Sequence, residues 1–309
     1  MLRRKAVLSA GVPARTFDAA VRAGELVSVG RGTYVDAAQL KGQPEHQRSG
    51  LKYRYRCIAV AASGSRLLSH ESAAALHGLA VLHPHRRAVH LTGDDDTGYA
   101  KNRLVVVHAG PVAADDVVVI DGVRVTGLAR TAVDVALTTD FPRALAVLDS
   151  ALRQGIDADD LRQRLKAPRK GVGTARRALE HADAGAANPG ESWCRAQMID
   201  ARFPVPVLQR VYRLNNGRTA EVDFDIDGKV VLEFDGLVKY GGTYLGTGQT
   251  PSAVLIAEKL REDGLRELGL DVVRAVWADL QEQTMLPRLA RHLAARGVRV
   301  PPRWVQAPP

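Results

Sequence analysis

Aromatic side chains are scarce in this sequence. Three Trp, seven Tyr and five Phe make up 5% of its 309 residues, so any core must be filled mainly by Val, Leu and Ala. There are two cysteines, Cys57 and Cys194, far apart along the chain. That excludes a disulfide framework and a CxxC metal knuckle, and it fits a reducing, cytoplasmic setting. No apolar run reaches the ~18 residues of a membrane span, and the opening residues lack the apolar stretch of a signal peptide, so neither a membrane partner nor secretion is expected. No internal repeat is visible.

Positive charge is present and unevenly placed. The net charge is +9. Residues 1–60 hold eleven Lys and Arg against four Asp and Glu, and so supply most of it. A merely solvated basic surface would be more uniform. The concentration points to a polyanion, double-stranded DNA, as the partner of the first segment.

Residues 3–10 read as a short helix broken by Gly11-Val12-Pro13, and residues 14–23 as a second helix stopped by Gly24. Residues 26–29 and 33–35 read as strands about a Gly30-Arg31-Gly32 turn. Helix, tight turn, helix and basic-tipped hairpin is the order of a winged helix-turn-helix. Such a module presents the first turn of its second helix to base edges, here Arg15 and Thr16, with Arg22 two turns further on. Arg31 at the wing tip would meet phosphate or the minor groove, and Arg3, Arg4 and Lys5 would lie near the DNA backbone. The runs Arg4-Lys5-Ala6-Val7-Leu8-Ser9-Ala10-Gly11-Val12, Arg22-Ala23-Gly24-Glu25-Leu26-Val27 and Arg31-Gly32-Thr33-Tyr34-Val35 resemble the N-terminal domain of AbiEi-type antitoxins. That resemblance implies operator binding, repression of a toxin–antitoxin operon and a cognate toxin as partner.

Residues 1–38 are therefore expected to form the DNA-binding module, 39–54 a linker, 55–183 a mixed α/β middle domain and 184–309 a third domain. In the middle domain, residues 69–79 read as a helix capped by Ser69, and the run Ser69-His70-Glu71-Ser72-Ala73-Ala74-Ala75-Leu76-His77-Gly78-Leu79 also resembles the segment that follows such winged helices. His70 and His77 share a helix face, but a metal site there would need further ligands, and packing is the plainer expectation. No chemistry is assigned to this domain.

The third domain opens after a Gly, Ala, Asn and Pro stretch at 184–190. It reads as helix 191–202, strands 207–214, 220–226 and 230–234, a Gly-rich loop, helix 253–268, strand 271–277 and helix 287–296. In Glu221-Val222-Asp223-Phe224-Asp225-Ile226, apolar and acidic residues alternate. A two-residue Asp227-Gly228 turn would put Asp223 and Glu233 on opposite faces. A three-residue loop would place Asp223 opposite Glu233 and Glu221 opposite Asp235, and would align Val222, Phe224 and Ile226 with Leu232 and Phe234 as one apolar side. The apolar pattern favours the three-residue loop. Facing carboxylates repel one another, and oxygen-only ligands suit Mg²⁺ or Mn²⁺.

This pattern resembles the PD-(D/E)xK nuclease superfamily, and more closely the relatives of the very-short-patch-repair endonuclease, over residues 189–280. The resemblance rests on Gly190-Glu191-Ser192, Glu221-Val222-Asp223-Phe224, Glu233-Phe234-Asp235-Gly236 with Lys239-Tyr240, Glu258-Lys259-Leu260-Arg261-Glu262-Asp263 and Gly269-Leu270-Asp271-Val272-Val273-Arg274. It implies Asp223 and Glu233 as metal ligands, joined by Asp235, and Glu191 as the acid of the first helix. Asp235 stands where the catalytic lysine belongs, and Lys239 or Lys259 would supply the missing charge. Glu191 has a second reading, as the third residue of a helix capped by Asn188. Residues 258–263 otherwise read as a charged helix face.

The expectation is thus a multi-domain α/β (α+β) protein: a winged helix-turn-helix, a mixed α/β middle domain and a restriction-endonuclease-like α-β-β-β-α-β core. The expected function is DNA binding with Mg²⁺-dependent phosphodiester hydrolysis. The alternative is a non-catalytic AbiEi-type antitoxin that represses its own operon.

Overall fold

The computed structural model describes residues 1–64, 66–93, 104–236 and 251–305. The chain opens with β1 (Leu2–Arg3), α1 (Arg4–Ser9), α2 (Ala14–Arg22), β2 (Leu26–Gly30) and β3 (Thr33–Asp36). The three strands form one sheet in the order β1-β3-β2. Phe17 is the buried residue of α2, and it meets the Tyr34 ring edge-on at 5.0 Å, which ties the helix to the hairpin. Gly30 pairs with Thr33 across a two-residue turn, and Gly32 there has φ +66°, a left-handed conformation that glycine adopts without strain.

Next come α3 (Glu45–Ala61), β4 (Leu67–Leu68), α4 (His70–His77), β5 (Val89–Gly93), β6 (Val105–Ala109), β7 (Val117–Ile120), β8 (Val123–Thr126) and α5 (Leu128–Leu137). The strands make a five-stranded mixed sheet, β6-β5-β4-β8-β7. Asp121 and Gly122 both have positive φ and close the β7–β8 hairpin in two residues, as their sequence predicts. Three helices follow: α6 (Phe141–Arg153), α7 (Ala158–Arg164) and α8 (Val172–His181). The chain ends with α9 (Pro189–Asp200), β9 (Val207–Arg213), β10 (Thr219–Ile226), β11 (Val230–Asp235), α10 (Pro251–Glu267), β12 (Asp271–Val276), α11 (Trp277–Gln281), α12 (Met285–Ala295) and α13 (Pro302–Val305). Among the described residues no helix is long and apolar enough to cross a membrane.

The chain divides into two compact units, Met1–Thr139 with Ile156–Arg176, and Asp140–Gly155 with Arg177–Pro309. Two sequence expectations change here. The linker expected at 39–54 is largely occupied by α3. One side of α3 packs Leu51 and Tyr55 against Val29 and Val35 of the head and against Leu40, and another packs Tyr53, Cys57, Ile58 and Ala61 against the five-stranded sheet. The head and the sheet therefore share a helix and one unit. The polar run that suggested a linker covers only its first turns. The second change concerns α6, which belongs to the second unit although it precedes α7. Its Asp149 accepts hydrogen bonds from Ser192 Oγ (2.8 Å) and Arg195 Nη1 (2.9 Å) of α9. A boundary at 183/184 would cut α6 away from these partners.

In the second unit the sheet order is β12-β11-β10-β9, antiparallel except for the parallel β11–β12 pair. One face, through Phe224, Ile226, Leu232 and Phe234, packs on α9, α11 and α12. The other packs Ala220, Val222 and Val231 on Leu265 of α10. Phe224 pairs with Leu232 and Ile226 with Val230, so the loop has three residues, the register favoured from sequence. Val222 departs from the expectation. It lies in the cluster opposite to Phe224 and Ile226, so the alternation breaks at Asp223. There the β9–β10 ladder skips a position, and the facing Gln209 has φ +49°.

Candidate functional site

The acidic residues singled out from sequence converge in part. Asn188 caps α9, accepting from the backbone N–H groups of Gly190 (2.9 Å) and Glu191 (3.1 Å). Glu191 Oε2 accepts from Ala187 N–H (2.7 Å) and Gln209 Nε2 (3.1 Å), and its Oε1 accepts from Asn188 Nδ2 (2.5 Å). A Cβ on Gly190 would lie 2.0 Å from the Phe234 ring, so this glycine lets the first turn of α9 reach β11. Burial pushes the Glu191 carboxyl up to about 7, and the Asp223 charge adds to that shift. Both readings of Glu191 thus meet in one place, since it serves the cap and also feels the Asp223 charge.

Asp223 Oδ2 accepts from Phe234 N–H at 2.7 Å. Burial raises its pKa most, Glu233 and Glu221 raise it further, and Arg261 lowers it. Glu233 is held by Arg261 with a two-pronged grip, Nη1 to Oε1 at 2.8 Å and Nη2 to Oε2 at 2.5 Å. The same guanidinium bonds Glu258 through Nε (3.0 Å) and Nη2 (2.9 Å), and Glu221 O through Nη1 (3.3 Å). Hydrogen bonds to Glu258 and Glu233 push the Arg261 pKa up, and Arg261 in turn lowers that of Glu258. Asp235 is exposed at the end of β11, Lys259 is exposed on α10, and Lys239 lies outside the described residues.

The positive charge held against these carboxylates is a side chain, not one of the two lysines named from sequence. Arg261, taken from sequence as part of a solvated helix face, reaches inward from α10 to the carboxylates. The set does not fit a divalent metal as it stands. Both Glu233 oxygens are bound to Arg261, both Glu191 oxygens accept hydrogen bonds, and one Asp223 oxygen accepts the Phe234 amide. Among the described residues no three His, Cys, Asp or Glu side chains are grouped to hold a metal ion.

The basic residues of the head are split between two situations. Arg3 donates to Ala59 O (3.3 Å), and Arg4 pairs with Asp18 (3.1 Å), bracing α1 against α2. Lys5, Arg15, Thr16, Arg22 and Arg31 are exposed. Arg15 and Arg22 stand seven residues apart on α2 and so share one of its faces.

Residues 64–181 match the AbiEi antitoxin C-terminal domain. Over 283 residues the chain is 30% identical to the uncharacterized protein Rv2248 of Mycobacterium tuberculosis strain ATCC 25618 / H37Rv, and equally to the uncharacterized protein MT2308 of strain CDC 1551 / Oshkosh. These alignments cover 90% of this chain and 96% of each relative. The chain belongs to the Rv2248 family. In this member of the Rv2248 family, the segment with a recognisable antitoxin domain is the middle one, to which sequence reasoning assigns no chemistry. The match contains the Ser69–Leu79 run but not the head, whose likeness to AbiEi proteins it does not address. Neither finding bears on the nuclease-like resemblance of residues 189–280.

Proposed function

We propose that the chain is the antitoxin of a toxin–antitoxin pair and binds DNA through its head. The match of residues 64–181 to an AbiEi antitoxin domain carries this reading. In it, that segment supplies the surface that meets a cognate toxin. The helix pair and hairpin of residues 1–38 act as a winged helix-turn-helix on the operator. The net charge concentrated in residues 1–60 and the exposed Arg15, Arg22 and Arg31 support the second part. Metal-dependent phosphodiester hydrolysis is less well supported, because Arg261 occupies the carboxylates that would ligate the ion.

The test has two arms. Co-expression with the toxin encoded beside it should restore growth and yield a co-purifying complex, whereas undiminished toxicity would refute the antitoxin role. The protein should retard the DNA upstream of its own gene, and Arg15→Ala with Arg22→Ala should weaken that binding. If both contact phosphate, the slope of log K against log salt falls by about 2. Retardation unchanged in the double variant would remove α2 from the interface. Plasmid incubated with Mg²⁺ or Mn²⁺ should stay intact, equally with wild type and Asp223→Ala.

A further inference from the structure

A cavity of about 310 Å³ lies within the first unit, lined by His70, Thr92, His108, Arg130, Asp134 and Arg169 among others. Strand alternation builds one wall. Val89 and Leu91 of β5 turn into the apolar core, so His90 and Thr92 face the other way, and Thr92 pairs with His108 of β6. His70 opens α4 with φ +49°, an unusual conformation for a non-glycine residue. Its ring stacks on His108 with centroids 3.6 Å apart, and His108 Nε2 meets His90 Nδ1 at 2.9 Å. Burial pushes the His70 and His108 imidazoles down, so both are neutral at neutral pH.

Thr92 Oγ1 donates to Ser69 Oγ (2.7 Å), and Ser69 Oγ lies 3.0 Å from His70 Nδ1. In the tautomer in which Ser69 donates to Nδ1, the ring proton sits on Nε2. Among the described residues Nε2 has no hydrogen-bond partner, and His70 is 8% exposed. In that tautomer the cavity is lined by an unused donor on a buried side chain. Arg130 is bound to Asp134 through Nε (2.9 and 3.0 Å), so those two charges offset each other. Arg169 donates to Arg164 O (2.5 Å) and has no ion pair among the described residues; Asp134 feels its charge, but the hydrogen bonds of that carboxylate go to Arg130.

We infer that this cavity binds a small phosphate-bearing anion, either orthophosphate or a phosphomonoester such as a mononucleotide, with its oxygens on the Arg169 guanidinium and the Nε2–H of His70. Tetrahedral oxygens can accept from donors that do not share a plane, and a guanidinium fork matches two of them. The cavity has room for more than the phosphate group alone.

The test is calorimetry on the full chain, titrating sodium phosphate and then adenosine monophosphate, with sodium chloride at equal ionic strength as reference. Saturable binding of at least one phosphate probe is expected, weakened about tenfold or more by Arg169→Ala. Arg169 is exposed, so that variant keeps the fold. His70→Asn, which tolerates the left-handed backbone, should weaken binding by a similar factor. Tighter binding of the mononucleotide would identify a phosphomonoester as the occupant, and equal affinity would identify phosphate itself. No saturable heat with either probe, or binding that both variants leave unchanged, would overturn the inference.

Discussion

Arg261 shows what one side chain does to a cluster of acids. Its guanidinium takes Glu233 with two hydrogen bonds and Glu258 with two more, and a neutral residue there would leave Glu233 partly buried without a counter-charge. Arg261→Met should therefore lower stability by about 1–3 kcal/mol, less than the loss for a fully buried pair because the arginine side chain is 26% exposed. Urea unfolding measures this, and a change under about 0.5 kcal/mol would show the pair to be incidental. Glu191 gives a pH signature. Its folded pKa of about 7 lies above the ordinary 4.5. Below pH 4.5 the carboxyl is protonated in both states. Between 4.5 and 7 the unfolded chain ionises first, so stability falls as pH rises, and above 7 the loss is complete. The size is about 1–3 kcal/mol. Unfolding at pH 5 and pH 8 should show this descent in wild type and a flatter one in Glu191→Gln; parallel descents would argue against it.

At the level of elements, legibility followed chemistry that acts over short stretches. Gly11, Pro13 and Gly24 bracket α2, Asp121-Gly122 makes its hairpin, and the three-residue loop at 227–229 could be chosen because Phe224 and Leu232 must share a face. What escaped depends on partners distant in sequence. The Val222 side is decided by α10 and by the irregular Gln209. Arg261 belongs to a charged run whose inward member no periodicity marks. His90, His108, Arg130 and Arg169 come from four separate segments, and only His70 drew notice. Helix α3 was hidden because its polar first turns read as a connector. The α9–β11 contact also rests on one local choice. Gly190→Ala drives a methyl into the Phe234 ring, and the overpacking should cost about 1–3 kcal/mol by urea unfolding, with the Glu191 signature above altered as well. A variant as stable as wild type would mean that α9 can shift without penalty.

For the whole molecule, the consequence lies in which segments close each unit. Because α6 carries Asp149 to Ser192 and Arg195, a fragment of residues 184–309 should be insoluble or molten by near-UV circular dichroism, whereas residues 140–309 should retain cooperative unfolding. Two equally cooperative fragments would contradict the division. The interleaving also sets a schedule for synthesis. Helix α6 leaves the ribosome before α7, α8 and α9 emerge, and at ~5–20 residues per second its apolar stripe waits about 2–7 s for α9 to arrive. During that interval a nascent chain shows Leu145, Leu148 and Ala151 to solvent, side chains that end fully enclosed. Translation speed across residues 154–189 therefore bears on yield, and pausing there would favour capture by chaperones.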